Sequence, residues 1–386
     1  CKCLSPNSAS SAQPLSSMGL SPSVCVLTCL LLLAQALPPN PGFIHISPGC
    51  LSADDRISDL WCPGDAGYEC YKIPSLLRIP GTTHLLGFIE ARKHSCDDEG
   101  YIDLLLKRSF DNGKTWTAPL MVYGNSTEKE WHTIGDALPI YDDVDKAIHL
   151  VFTRDNTDVF VTRSSDGGSS WDPPKNISSV AVRKRGHFVG TGHAEGLQMP
   201  DGRLLVPMYG GGSNSFVLAS DDHGASWSIA GEVKCKPNEW VMALAEQNST
   251  RLYGSIRSEP FRLQSFSNDG GRTWSPVTHM FGMPEPISGC EGAVVLHPNG
   301  RLFYSHPDNY LLRNIMRIKR SDDGGHTWRN HATIWGHGAG CEKPCVPAAS
   351  YSSMAVLGDK EDSEIGIFFM RNNVTMLVFE GRGASF

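Results

Sequence analysis

An octad of the form Ser-x-Asp-x-Gly-x-Thr/Ser-Trp occurs five times in this chain, starting at Ser109, Ser164, Ser220, Ser267 and Ser321. The start-to-start intervals are 55, 56, 47 and 54 residues. One copy would be an ordinary tight turn. Five at near-constant spacing are an internal repeat, and a repeat confines the chain to folds assembled from copies of one unit. Each octad follows a short apolar run, as in "LLLKRS", "VFVTRS" and "MRIKRS". Such runs recur through the chain, bounded by Gly, Pro, Asn or Asp, which is the pattern of strands and turns. "PDGRLLVP" and "HPNGRLFYS" place Asp-Gly and Asn-Gly between apolar runs, a strong hairpin signal.

Five octad units and the final 58 residues (329–386) make six units; dividing the 350 residues of 37–386 by six gives about 58 each. The expected fold is all-β, a six-bladed propeller, since radial repetition of four-stranded blades leaves few open sheet edges. The last blade is expected to borrow a strand from the N-terminal part. Within the octad, Ser and Asp suit hydrogen bonds to turn amides, Gly suits positive φ, and Trp offers an aromatic face to pack between sheets. The five aspartates therefore read as structural rather than catalytic.

Composition bears on partners. The formal charge is −7, with no basic stripe, so nucleic acid and anionic membrane surfaces are unsuited partners. "VCVLTCLLLL" (24–33) followed by "AQA" (34–36) reads as a secretory signal peptide with Met18 as initiator, cleaved after Ala36. Its ten apolar residues are too few for the ~20 of a spanning helix, and no later segment qualifies. The expected divisions are a leader at 1–36, an N-terminal segment at 37–67 and the propeller at 68–386. Beyond the leader stand sequons at Asn125, Asn176, Asn248 and Asn373, and eight cysteines: Cys50, Cys62, Cys70, Cys96, Cys235, Cys290, Cys341 and Cys345. An even set in an oxidising compartment predicts some disulfides, of connectivity the sequence leaves open. No paired C-x-x-C set argues for zinc.

The octads, with "YKIP" at 71–74 and "EARKHSCDDEG" at 90–100, resemble the exo-α-sialidases (neuraminidases) and their Asp boxes, closest to the animal lysosomal type. The resemblance covers roughly 68–386. The boxes alone are weakly specific, since sorting receptors and other glycosidases carry them. The resemblance implies three cations on the substrate carboxylate, for which the planar guanidinium fork is well shaped. Arg257 in "YGSIRSE" and Arg313 before the last box match two. The first position holds Lys72 instead of arginine, a departure from the family.

The resemblance further implies Asp98 as general acid, with Asp97 a weaker candidate, Tyr351 in "SYSSMAVL" as nucleophile and Glu239 as its partner. A glutamate that steadies the first arginine is replaced by Arg371, with Glu380 as the alternative position. Arg371 is then expected to reach the substrate carboxylate, and Arg92 to touch ring substituents of the sugar. His187, His193 and Glu195 fall where the family contacts the N-acyl group. Tyrosine-nucleophile sialidases depart from the two-carboxylate glycosidases. The reacting carbon bears a carboxylate, so a neutral phenol approaches it more easily than an anion does. The implied activity is retaining hydrolysis of terminal α-linked sialic acid from glycoproteins, oligosaccharides or gangliosides, in an acidic compartment. Neither cofactor nor metal is expected. A carrier protein or homo-oligomer is the implied partner, and the lysosome or the extracellular space the implied location. Lys72 and Arg371 keep a non-catalytic sialoglycan-binding propeller as the alternative.

Overall fold

The computed structural model describes residues 57–184, 186–212, 214–336, 348–371 and 374–380. Its strands form six antiparallel sheets. In chain order the first comprises Cys70–Arg78, Leu85–Arg92, Ile102–Ser109 and Leu120–Tyr123, and the second Ile134–Asp142, Ala147–Arg154, Asp158–Ser164 and Lys175–Asn176. The third holds Val189–Thr191, Leu204–Gly210, Ser215–Ser220 and Ser228–Val233, with Leu197–Gln198 as a fifth, short strand. The fourth and fifth begin at Trp240–Leu244 and Ala293–Leu296, the sixth at Ser352–Val356. Among the described residues, helix is confined to Ser178–Ala181 and one 3-10 turn at Asp65–Gly67. Both hairpins expected at Asp201-Gly202 and Asn299-Gly300 form, with φ of 92° and 81° at the glycines.

The sixth sheet closes with Ile57–Trp61, which pairs antiparallel with Val374–Glu380. The barrel of sheets therefore starts before residue 68, inside the segment that the sequence set apart as 37–67. The leader and its cleavage site lie outside the described residues. Inner strands of successive sheets touch, between third and fourth through Leu204–Gly210, and Ser352–Val356 lies against Cys70–Arg78, so the series comes back to its start. The chain is an all-β propeller.

Most strands are buried on both faces; every residue of Leu85–Arg92 is. The reason is that each sheet packs between two others. Leu86, Phe88 and Leu104 of the first sheet cluster with Ile134, Leu150 and Phe152 of the second, while Trp61 and Phe368 of the sixth meet Leu76 on the other side. This explains near-continuous apolar runs instead of alternation. Each such side chain contributes about 1.5–3 kcal/mol on burial.

The five octads share one geometry. Each starts on the last residue of the third strand of a sheet. The Ser Oγ donates to the Asp Oδ1 at 2.7–2.8 Å and accepts the amide of the fifth-position glycine. The other Asp oxygen takes the Thr or Ser hydroxyl at 2.5–2.6 Å. Positions four and five are both left-handed, for example Gly167 (φ 68°) and Gly168 (φ 79°). The tryptophans reach toward a neighbouring sheet, as Trp171 does edge-on to Phe88, centroids 5.8 Å apart. Hydrogen bonding holds the octad aspartates below their ordinary carboxyl range, Asp166 at about 2. No helix among the described residues is long and apolar enough to cross a membrane.

Candidate active site

The octads end the third strands, so antiparallel order puts them at the opposite end of each sheet from the start of the first strand and the end of the second. That second end is where the expected site residues collect. Lys72 stands near the start of the first sheet, Arg92 at the end of its second strand, Glu239 just before Trp240–Leu244, Arg257 just after Leu252–Ile256, and Tyr351 just before Ser352–Val356.

Tyr351, Glu239 and Arg257 meet there. The Tyr351 hydroxyl donates to Glu239 Oε1 at 2.7 Å and accepts from Arg257 Nη1 at 2.8 Å. Arg257 Nη1 also pairs with Glu239 Oε2, and its Nη2 donates to the Ser288 carbonyl. Arg313 donates from Nε and Nη2 to the Gly289 carbonyl at 3.0 and 2.7 Å, and its guanidinium lies 5.5 Å from the Tyr351 ring centre. One loop, Ser288–Gly289, thus seats both arginines. Burial pushes the Glu239 carboxyl up, but His193, Arg257 and Tyr351 outweigh it and hold the group at about 2. Burial, then the Glu239 charge, push the Tyr351 phenol well above its ordinary value, so at rest it keeps its proton beside the Glu239 carboxylate.

Asp98 lies in the loop after Arg92, its side chain 85% exposed. Arg92 Nη1 holds Asp98 Oδ1 at 2.6 Å, and Lys72 Nζ stands 3.7 Å from the same oxygen. The Cys70–Cys96 disulfide fastens this loop to the strand carrying Lys72. Lys72 Nζ donates to the Cys96 carbonyl at 2.5 Å. Burial raises the Asp98 carboxyl, yet the hydrogen bond and charge of Arg92 leave it lowered overall.

Two expectations are corrected. Arg92 does not present itself to a ligand: it is 3% exposed, and its Nη atoms are taken by Asp98, Glu90 and the Cys96 and Asp97 carbonyls. It holds the Asp98 carboxylate instead. Arg371 pairs with Asp59 at 2.6 Å and stacks 4.4 Å from the Trp335 ring centre. No described contact joins it to Lys72, Arg257 or Arg313; a carboxylate from the closing strand engages it. Glu380 and Asn373 lie outside the residues whose side chains are described. His187 is exposed, and Asp97 bonds to Ser95.

The sequence reading missed Asp136, which sits buried at φ 56° on the second sheet's inner strand, beside His193. It also missed Tyr209, which lies within electrostatic reach of Asp136, Glu239 and Tyr351. Neither belongs to a motif, and only the ring brings them in. Among the described residues, Asp142, Asp145 and His223 have spacing suited to a cation, but they lie at the octad end, away from this cluster.

The chain is similar to known proteins in sequence and in fold. The model of the BNR repeat-like domain family matches residues 84–368. Human Sialidase-4 is 28% identical over 266 residues, 59% of this chain and 54% of that protein. Mouse Sialidase-2 is 27% identical over 295 residues, covering 65% of this chain and 77% of its own. The chain thus spans about half the length of human Sialidase-4. Among solved structures, the Hadza microbial sialidase Hz136 superposes with a TM-score of 0.71 at 22% identity, covering 84% of this chain and 68% of that one. The leech intramolecular trans-sialidase complexed with 2,7-anhydro-Neu5Ac gives 0.69 at 16% identity, covering 83% and 70%. The family match spans most of the chain and takes in five of the six sheets' inner strands, so the chain belongs to the BNR repeat-like domain family, with sialidases as its curated relatives.

Proposed function

We propose that this chain is a six-bladed exo-α-sialidase that removes terminal α-linked sialic acid with retention of configuration. The observation that carries the reading is the phenol of Tyr351 hydrogen-bonded at 2.7 Å to a buried carboxylate while an arginine touches both. A phenol has an ordinary pKa near 10 and attacks only if a base takes its proton. Glu239 is that base. Arg257 and Arg313 receive the substrate carboxylate, with Lys72 as a third cation of point charge rather than fork.

In the first step Tyr351 Oη bonds to the anomeric carbon and its proton passes to Glu239 Oε1. The glycosidic bond breaks, and Asp98 gives its proton to the leaving oxygen. In the second, water attacks the anomeric carbon, Asp98 takes the water proton, and Tyr351 leaves and recovers its proton from Glu239. Two displacements at one carbon give retention. Arg92 holds Asp98 ionised at rest, so the acid form is populated in acid, which favours an acidic optimum and a lysosomal or extracellular setting. Glycoproteins, oligosaccharides and gangliosides are the substrate class, and a carrier protein remains the proposed partner.

Hydrolysis of 4-methylumbelliferyl sialic acid across acid to neutral pH, beside Tyr351→Phe, is the test. Turnover peaking in acid and lost in the variant, with the α-anomer formed first by proton NMR, is expected. Sialoside binding without turnover would replace the hydrolase by a sialoglycan-binding propeller.

A further inference from the structure

His193 is 2% exposed and borders Tyr351, yet the two displacements above do not use it. Its backbone and that of Ala194 lie in the left-handed region, φ 57° and 58°. At Gly192, just before, any Cβ would overlap the Trp240 carbonyl, so the turn is wedged against the fourth sheet. The imidazole bridges two elements. Its Nε2 is 3.1 Å from Glu239 Oε1, the oxygen that accepts the Tyr351 hydroxyl. Its Nδ1 faces Asp136 Oδ1 at 3.6 Å. The ring stands edge-on to Tyr351, centroids 5.6 Å apart.

Asp136 Oδ2 accepts from Thr153 Oγ1 and Asn156 Nδ2 at 3.1 and 3.2 Å. Among the described ion pairs, His193 is its one cation. Glu291 also acts on the imidazole from the loop before the fifth sheet, and Arg257 pairs with the Glu239 that His193 holds. At 3.6 Å the Asp136 contact is one of charge and not a hydrogen bond, and the imidazolium form supplies that charge while Nε2 donates to Glu239. The bridge extends further. The Asp136 amide donates to Glu90 Oε1 at 2.9 Å, Glu90 Oε2 pairs with Arg92 at 2.7 Å, and Arg92 holds Asp98. Hydrogen bonds and ion pairs thus run from Asp98 to Asp136, and a 3.6 Å charge contact separates Asp136 from the His193–Glu239–Tyr351 group.

We propose that His193 is a positioning residue, held as an imidazolium between Asp136 and Glu239, that fixes Glu239 against Tyr351 and whose deprotonation adds a second alkaline loss of activity beyond the one set by ionisation of Asp98. The kinetic part rests on the sialidase reading. The electrostatics agree in direction. Burial disfavours the imidazolium, but Glu239 and Asp136 hold its pKa up at about 9. Burial raises the Asp136 carboxyl to about 7, so in acid Glu239 alone holds the imidazolium, and above neutrality Asp136 adds its charge. Once the imidazole loses its proton, one nitrogen stops donating, and Glu239 and Asp136 no longer share a cation.

Asp136→Asn keeps the size and removes that charge. The expected result is a kcat profile unchanged in acid and through the Asp98 limb, the second alkaline loss moved at least one unit toward acid (tenfold lower kcat above it) and little change in KM. His193→Gln, which keeps a donor without charge, should lower kcat and abolish the second alkaline loss while the Asp98 limb stays. In the wild type, nitrogen NMR should find the His193 ring doubly protonated at neutral pH, titrating well above an ordinary histidine. A neutral ring there, or an Asp136→Asn profile that only scales down at every pH, would overturn the proposal. A wild type without turnover would remove the sialidase reading, and the ring titration would still decide whether the imidazolium bridge exists.

Discussion

Replacing Glu239 by glutamine is the sharpest probe of the proposed chemistry. The amide matches the carboxylate in shape but cannot take a proton. It also has one carbonyl where the carboxylate offers two acceptors. Oε1 serves Tyr351 and His193, while Oε2 serves Arg257. With the carbonyl toward Tyr351, the amide NH₂ faces the Arg257 donor; turned over, it faces His193. One donor–donor contact is unavoidable, and the anion balancing Arg257 is gone. General-base assistance is worth roughly 10²–10⁴-fold, about 3–5 kcal/mol at 1.36 kcal/mol per decade. Loss in kcat of that size is expected, with KM raised as Arg257 shifts. Because Tyr351 and Glu239 act as a unit, the double variant Glu239→Gln/Tyr351→Phe should be no slower than Tyr351→Phe alone. Steady-state rates of all four proteins on one fluorogenic sialoside test this. A Glu239→Gln enzyme within tenfold of wild-type kcat, or losses that multiply in the double variant, would refute the base assignment.

Lys72→Arg should raise kcat/KM about tenfold, mainly through KM, since a fork adds a charge-assisted hydrogen bond worth ~1.5–3 kcal/mol in part; an unchanged or lower value would show that the Cys96 carbonyl already places the ammonium usefully. Thermal stability should peak near pH 4–5: Asp136, Glu195, Glu291 and His193 are raised to about 7, 8, 8 and 9, so their stabilisation is lost as pH rises through those values. Asp166 and Glu239, both held at about 2, lose theirs as pH falls. A melting temperature that climbs from acid to mildly alkaline pH would contradict this. In the second octad, Gly168→Ala puts a Cβ 2.5 Å from Leu86 Cδ2 at φ 79°, whereas at Gly167 the nearest atom is 3.7 Å away. Denaturant unfolding should show Gly168→Ala costing about 2–4 kcal/mol and Gly167→Ala about 1–2, and equal costs would mean the box is not packed as described. Glycopeptide mass spectrometry of protein secreted from mammalian cells should find glycan at the exposed Asn176 and Asn248 but not at Asn125, whose amide donates to Ile102, Asp103 and His132.

Local chemistry was legible in the sequence. The octads, the strand runs and the Asp-Gly and Asn-Gly hairpins depend on residues within a few positions of one another. Their geometry follows from turn hydrogen bonds and positive-φ glycines, which need no distant partner. The resemblance then supplied Glu239, Arg257, Arg313 and Tyr351 in order, and all four lie in one cluster.

What the sequence could not decide is which blade faces which across the ring. Glu239 and Tyr351 are 112 positions apart, and Asp59 and Arg371 are 312. Arg92 matched a ligand-binding position but is enclosed by Glu90, Asp98 and two carbonyls. Arg371 read as a cation in search of a substrate, but the closing strand supplies it with Asp59. Asp136 belongs to no repeat, and it matters only because the inner strand of the second sheet brings it to His193. A periodic pattern encodes each blade, because strand and turn preferences are short-ranged. The partners of a charge in the middle of the ring are set by closure, and closure is a property of the tertiary structure alone.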